Sequence, residues 1–219
     1  MSALRCGRCH QFDFPVDRGE ERPLWRTSLP MQNTVREWAS SEASHRGDDC
    51  VSCHIPEGTH RLRGTSDRAF IASAITLDVR ARRVANRWIL RATLAPSGAG
   101  HSFPTGDLFR SARLVAWVDE SAQRERVFTR RFDETTFTDD RGETHFMRRE
   151  RYDGRLAPPG EDSVDEVSLT VPARGDAPLR WRWEYRRTTP EVARRERLTD
   201  DLVRLTLAEG LIAPRPTRR

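Results

Sequence analysis

Beyond Phe70 the chain alternates. Ile75, Leu77 and Val79 are separated by polar residues, as are Trp88, Leu90, Ala92 and Leu94, then Leu114, Ala116 and Val118, then Val167, Leu169 and Val171. The clearest run sets Leu179, Trp181, Trp183 and Tyr185 between Arg180, Arg182, Glu184 and Arg186. A period of two with one polar face is the pattern of half-buried antiparallel strands. Strands of this kind joined by turns predict a β-sandwich over residues 70–188. Thr189 and Pro190 then read as an N-cap and a first helical residue. They predict a helix from about Pro190 to Glu209 that buries Leu198, Leu202 and Leu205 on one face, extended by Val192 and stopped by Gly210. The tail Pro214 to Arg219 is expected to fray.

The first 69 residues follow neither period. They are rich in Pro, Gly, Asp and Ser. One helix is predicted from about Asn33 to Ala43, with Thr34 and Glu37 as a capping box and Val35 and Trp38 as a short apolar stripe. The expected fold class is mostly β with some α. It consists of a small N-terminal module of short helices and loops (1–69), an antiparallel β-sandwich (70–188), and a C-terminal helix and tail (189–219).

Composition narrows the function classes. A chain of 219 residues can bury a core without cysteine staples. No stretch approaches the ~20 apolar residues of a membrane helix, so no span is expected. All 38 basic residues are arginines. Without lysine, a lysine Schiff base and a lysine-bearing P-loop are excluded. The net charge is +5, but 33 acidic residues are interspersed among the arginines, so a nucleic-acid partner is not expected.

The cysteines carry the strongest signal. All four fall in two copies of one pattern, Cys6-Gly7-Arg8-Cys9-His10 and Cys50-Val51-Ser52-Cys53-His54. C-x-x-C-H is the attachment site of c-type haem. Thiols three positions apart can reach the two vinyl groups on one porphyrin edge, and the adjoining imidazole can reach the iron. Three other readings remain: one zinc ion held by four thiolates, structural disulfides, and a thioredoxin-like redox motif. Zinc needs no histidine after each pair, and a redox motif needs only one pair, so two haem c groups are the expected cofactors.

A loop of about fifteen residues, Pro96 to Arg110, separates two predicted strands, and loops of that length in compact domains are usually functional. Its centre, Gly100-His101-Ser102-Phe103-Pro104-Thr105-Gly106, is punctuated by glycine and proline, which fix the path of His101. The two C-x-x-C-H sites, the stretch Met31-Gln32-Asn33-Thr34-Val35-Arg36-Glu37-Trp38, the loop Ala99 to Gly106 and the stretch Asp153 to Glu161 occur in that order. Together they resemble bacterial multihaem c-type cytochromes that join a small haem module to a C-terminal β-sandwich. The resemblance implies an electron carrier in the periplasm or outside the cell, with other redox proteins, multihaem cytochromes among them, as partners. Five residues precede Cys6 and hold no secretory leader. The sequence is therefore expected to be a mature form, a fragment, or a reading frame begun too late.

The histidines decide what such iron could do. His10 and His54 are the proximal ligands by motif. His45, His60, His101 and His145 remain for two distal positions, with Met31 and Met147 as possible sulfur ligands. His60 is too close to His54 in sequence to reach the same iron easily, so it is assigned to the first haem. His101 is assigned to the second, where the sandwich would seal the haem from water. His45 is the alternative distal ligand for either haem. His145 is expected to be solvated in its charged stretch, and Met31 to be a helix-start core residue. Two strong ligands per iron leave no vacant position, and such a haem transfers electrons. A missing ligand would instead give a catalytic haem with one open iron. A zinc-stabilised binding module is the third possibility. No Ser-His-Asp or paired-carboxylate pattern assigns a catalytic residue.

Overall fold

The computed structural model describes residues 2–16, 25–55, 61–120, 122–158, 160 and 163–214. Helix α1 (Ser2–His10) runs into a hairpin of β1 (Gln11–Val16) and β2 (Trp25–Asn33). Short helices follow: α2 (Thr34–Ala39), α3 (Glu42–Arg46), α4 (Cys50–His54) and α5 (Arg68–Ala72). Then come β3 (Ile75–Val84), β4 (Arg87–Pro96), β5 (Ser111–Trp117), β6 (Arg124–Phe128), β7 (Arg130–Thr138), β8 (Thr144–Asp153), β9 (Asp165–Pro172) and β10 (Leu179–Arg186). The chain closes with α6 (Pro190–Arg195), α7 (Asp200–Val203) and β11 (Arg204–Ile212). The fold is mostly β and its sheets are antiparallel, as the alternating pattern predicts. No described helix is long and apolar enough to cross a membrane.

Two sheets, β3-β4-β9 and β11-β10-β5-β6, share one hydrophobic core. Trp88, Leu90, Ala92 and Leu94 of β4 and Val167, Leu169 and Val171 of β9 face it from one side. Leu114 and Ala116 of β5 and Leu179, Trp183 and Tyr185 of β10 face it from the other. A third pairing, β7 with β8, leans on the β1–β2 hairpin. There the rings of Phe14 and Phe132 meet edge to face at 5.2 Å. The Arg130 guanidinium also donates to the Pro30 and Met31 carbonyls, each at 2.8 Å.

Several expectations are corrected. The long helix from Pro190 to Glu209 does not form. α6 ends where Arg197 turns into the left-handed region at φ 52°, and from Arg204 the chain pairs with β10 instead. Here the ladder to β10 overrides the helical period of Leu198, Leu202 and Leu205. Gly210 is therefore not a helix stop. It faces Trp181 across the ladder, and a Cβ on it would lie 2.6 Å from the indole nitrogen. The helix expected over Asn33 to Ala43 breaks at Ser40 and Ser41, whose hydroxyls turn back to carbonyls of α2. Thr34 and Glu37 form no capping box, because both side chains are engaged elsewhere. Nor is the outer face of β10 wet throughout. Glu184 is fully buried there, under Arg113, Arg182 and Arg186 at 3.2, 3.0 and 2.9 Å.

The shared core makes a direct prediction. Leu90 is fully buried and Leu211 is 54% exposed. Leu90→Ala should lower the unfolding free energy by about 2–5 kcal/mol, measured by urea denaturation. Leu211→Ala should leave the midpoint nearly unchanged.

Candidate functional site

The two cysteine motifs occupy two short helices that pack on one another. Val35 of α2 sits against Gly7 of α1, 3.4 Å from the position a Cβ would take. Helix α4 begins with a capping box. Asp49 accepts from the backbone of Val51 and Ser52 at 3.0 and 2.9 Å, and the Ser52 hydroxyl accepts from the Asp49 backbone at 2.9 Å. Burial, with the Cys6 thiol alongside, pushes the Cys50 thiol up. All four thiols are free, with Cys9 and Cys53 exposed. They do not assemble into one four-sulfur cluster: among the described residues the one tight group of three metal-ligating side chains is Asp139, Glu143 and His145.

His54 is the last residue of α4. Its Nδ1 lies 2.8 Å from the Arg63 carbonyl, and the Phe70 ring stands edge-on to it at 5.0 Å. Facing it is His101, with ring centroids 6.2 Å apart and planes inclined by 22°. His101 Nδ1 lies 3.1 Å from the Ser102 carbonyl. A carbonyl can only accept, so in both rings Nδ1 donates, and in the neutral ring Nε2 is the nitrogen that holds the lone pair. This second-sphere arrangement prepares a histidine to bind a metal through Nε2. Burial dominates the titration of His101 and lowers its pKa against the opposing pull of Ser102 and Glu37. The neutral imidazole, the form that ligates metals, is thereby favoured. An imidazole nitrogen sits about 2 Å from a first-row metal, so two imidazoles sharing one ion hold their centroids roughly 6 Å apart. The observed separation fits.

The His101 loop is fastened on both sides. Phe103 exchanges two backbone hydrogen bonds with Leu156, at 2.8 and 2.9 Å, and its ring lies among Trp183 and Tyr185. Gly100 lets the loop approach the N-terminal module, since a Cβ there would stand 2.8 Å from that of Ala43. Thr105 bonds the Thr34 hydroxyl at 2.9 Å and donates to Glu37 at 2.9 Å. The other Glu37 oxygen takes a 2.7 Å bond from Arg155, which also binds Asp153 at 2.6 Å and the Pro104 carbonyl at 3.4 Å. Burial disfavours the ionised form of Asp153, but Arg155 outweighs it and holds the carboxyl below its usual range.

No family model matches the chain, and no curated protein does. Among solved structures, the chain is similar to a penta-heme cytochrome c552 from Thermochromatium tepidum, with 18% identity and a TM-score of 0.66. The match covers 97% of this chain and 56% of that one. The chain has a multihaem-cytochrome-like fold. It spans little more than half the length of the structure it resembles.

The other candidates are dispersed. His10 ends α1 and His45 lies in α3, both exposed. His60 lies outside the described residues. Met31 is not at a helix start but in β2, half-buried, and Met147 lies in β8. His145 is not solvated. It is 5% exposed, with Nε2 3.0 Å from an Asp139 oxygen. That bond and the Glu143 backbone hold the Asp139 carboxyl down at about 2. The charged stretch conceals a hairpin tip in which Asp139 organises the turn, and sequence alone gives no sign of it. Glu37, Thr105 and Arg155 also escaped the sequence reading as one unit, although Glu37 and Arg155 each lie in a stretch that carried the resemblance.

The Asp153 carboxyl, with a pKa depressed by folding, stabilises the protein above its unfolded value of about 3.9. That contribution disappears as pH falls through the lower folded value. Asp153→Asn should therefore be less stable than the wild type at neutral pH, with a flatter loss of stability below about pH 4, measured by thermal melts across pH.

Proposed function

We propose that the chain is a dihaem c-type cytochrome that transfers electrons. The observation that supports this most directly is the facing pair His54 and His101, each with Nδ1 bound to a carbonyl and Nε2 free. Cys50 and Cys53 would hold one haem by thioether bonds, and His54 and His101 would ligate its iron. Cys6, Cys9 and His10 would hold the second haem, with His60 as distal ligand and His45 as the alternative. Haem c, once bound, supplies a one-electron iron couple whose potential follows axial ligation, hydrogen bonding and burial.

The surrounding residues would set the terms of that site. The Arg63 and Ser102 carbonyls fix the imidazole tautomers. Phe70 shields one side of His54. The Glu37–Arg155 junction keeps the His101 loop seated on the helices and places charge near the ligand. Two imidazole ligands would leave the iron no vacant position, which favours electron transfer over small-molecule chemistry. The partners proposed are other redox proteins, multihaem cytochromes among them, in the periplasm or outside the cell. The fold likeness to a cytochrome supports the class.

Protein matured in a host with cytochrome c maturation machinery should gain roughly 1.2 kDa over its 25.2 kDa chain, two haem masses. It should also show a low-spin haem spectrum. A bare-chain mass with bound zinc would refute the proposal. In His101→Ala one haem should become high-spin in electron paramagnetic resonance and, once reduced, bind carbon monoxide, while the other stays low-spin. Carbon monoxide binding by the wild type would favour the catalytic, open-iron alternative.

A further inference from the structure

The outer face of the β3-β4-β9 sheet has an uneven charge pattern that neither the fold nor the histidine site explains. The strand register sorts this face into rows. Asp78, Thr93 and Glu166 form one row, near the end of the sheet that feeds the His101 loop. The next row sets Arg80 directly opposite Arg91, with Ser168 beyond. The third sets Arg82 opposite Ile89 and Thr170, and the fourth sets Arg87 beside Val84 and Pro172. Past the first row the face holds four arginines and no acid.

All four arginines are exposed. Arg80 reaches back to Asp78 at 2.9 Å. Among the described residues no carboxylate pairs with Arg82, Arg87 or Arg91. Like charges directly opposite in a sheet are destabilising, so Arg80 facing Arg91 opposes folding, and the Asp78 carboxylate answers the Arg80 charge alone. Rows two residues apart are about 7 Å apart and adjacent strands about 5 Å. The four guanidinium groups therefore crowd a patch on the order of 15 Å across.

We infer that this arginine face docks on an anionic phospholipid surface. Guanidinium forks match phosphate oxygens in bidentate pairs, and the Ser168 and Thr170 hydroxyls add donors between them. A protein partner would call for an aromatic or contiguous apolar centre, whereas these rows hold no aromatic residue and scatter Ile89, Val84 and Pro172 among the arginines. A duplex would need an element for its groove or a longer basic track. A headgroup layer needs neither, only a flat field of phosphate. The arginine rows run from Arg91 to Arg87, five to nine residues from the loop end of β4, so the patch lies roughly 15–30 Å from that end. Lipid docking would leave the face around His54 and His101 open to other partners.

The test uses the full chain and sedimentation with vesicles of phosphatidylcholine, with or without phosphatidylglycerol. Binding is expected only when phosphatidylglycerol is present, and should be lost in salt on the order of 0.5 M. The triple variant Arg82→Gln, Arg87→Gln, Arg91→Gln should lower the partition coefficient roughly a hundredfold. Removing the same charge from β8, by Arg148→Gln, Arg149→Gln and Arg151→Gln, should cost far less. Arg91→Gln alone should bind about fivefold more weakly while unfolding no more readily than the wild type, because it relieves the opposition with Arg80. Three outcomes would overturn the inference: no binding to anionic vesicles, equal losses in the two triple variants, or tighter retention on polyglutamate or duplex DNA that the first triple variant abolishes.

Discussion

The ion pair between Glu37 and Arg155 joins the two halves of the molecule. Its partners are 118 residues apart in sequence and almost completely buried. Glu37 comes from the helices that carry the cysteine motifs, Arg155 from the segment behind β8, and both grip the His101 loop through Thr105 and Pro104. A buried ion pair is not a reliable source of net stability, but removing Arg155 strands the Glu37 charge in the interior at a cost of about 3–5 kcal/mol. Such a pair tolerates one arrangement. His101 meets His54 because Glu37, Thr105 and Arg155 agree on where the loop must lie.

The two halves are unlike in cohesion. The sandwich owns a contiguous core in which every buried member lies at Ala74 or beyond. Before it, among the described residues, Phe14 and Ala43 are the buried hydrophobic side chains. The described part of this segment therefore gains little from a core of its own against the entropy of ordering its backbone. It leans on the sandwich through Gly100, Trp38 and the ion pair, and on the proposed reading through porphyrin as well. This is the usual division between a rigid sheet scaffold and the loops it positions.

What the sequence disclosed follows the range of the interactions. The strands of the sandwich were legible because alternation is local: Trp88 to Leu94 and Val167 to Val171 declare their faces within a few residues. The C-x-x-C-H motifs are visible for the same reason, and the histidine at the centre of the glycine- and proline-bounded loop stands out. The fate of residues 198–209 was not legible. Leu198, Leu202 and Leu205 carry a helical period, and only the distant β10 ladder decides against it. Likewise Thr34 and Glu37 matched a capping box locally, yet Thr105 and Arg155 claim both side chains. His145 shows the same limit, since its burial depends on a turn built by Asp139. Non-local partners settled each of these positions.

The pairing of β11 beside β10 sets an order of events in synthesis. Both cysteine motifs leave the ribosome before β5 and β10, and β11 follows the other described strands. Until Arg204 to Ile212 has been made, β10 has an open edge and the four-stranded sheet remains incomplete. Arg155 and the His101 loop cannot settle against Glu37 before most of the chain exists. The thiols of Cys6, Cys9, Cys50 and Cys53 are thus in place before the His101 loop can settle beside His54.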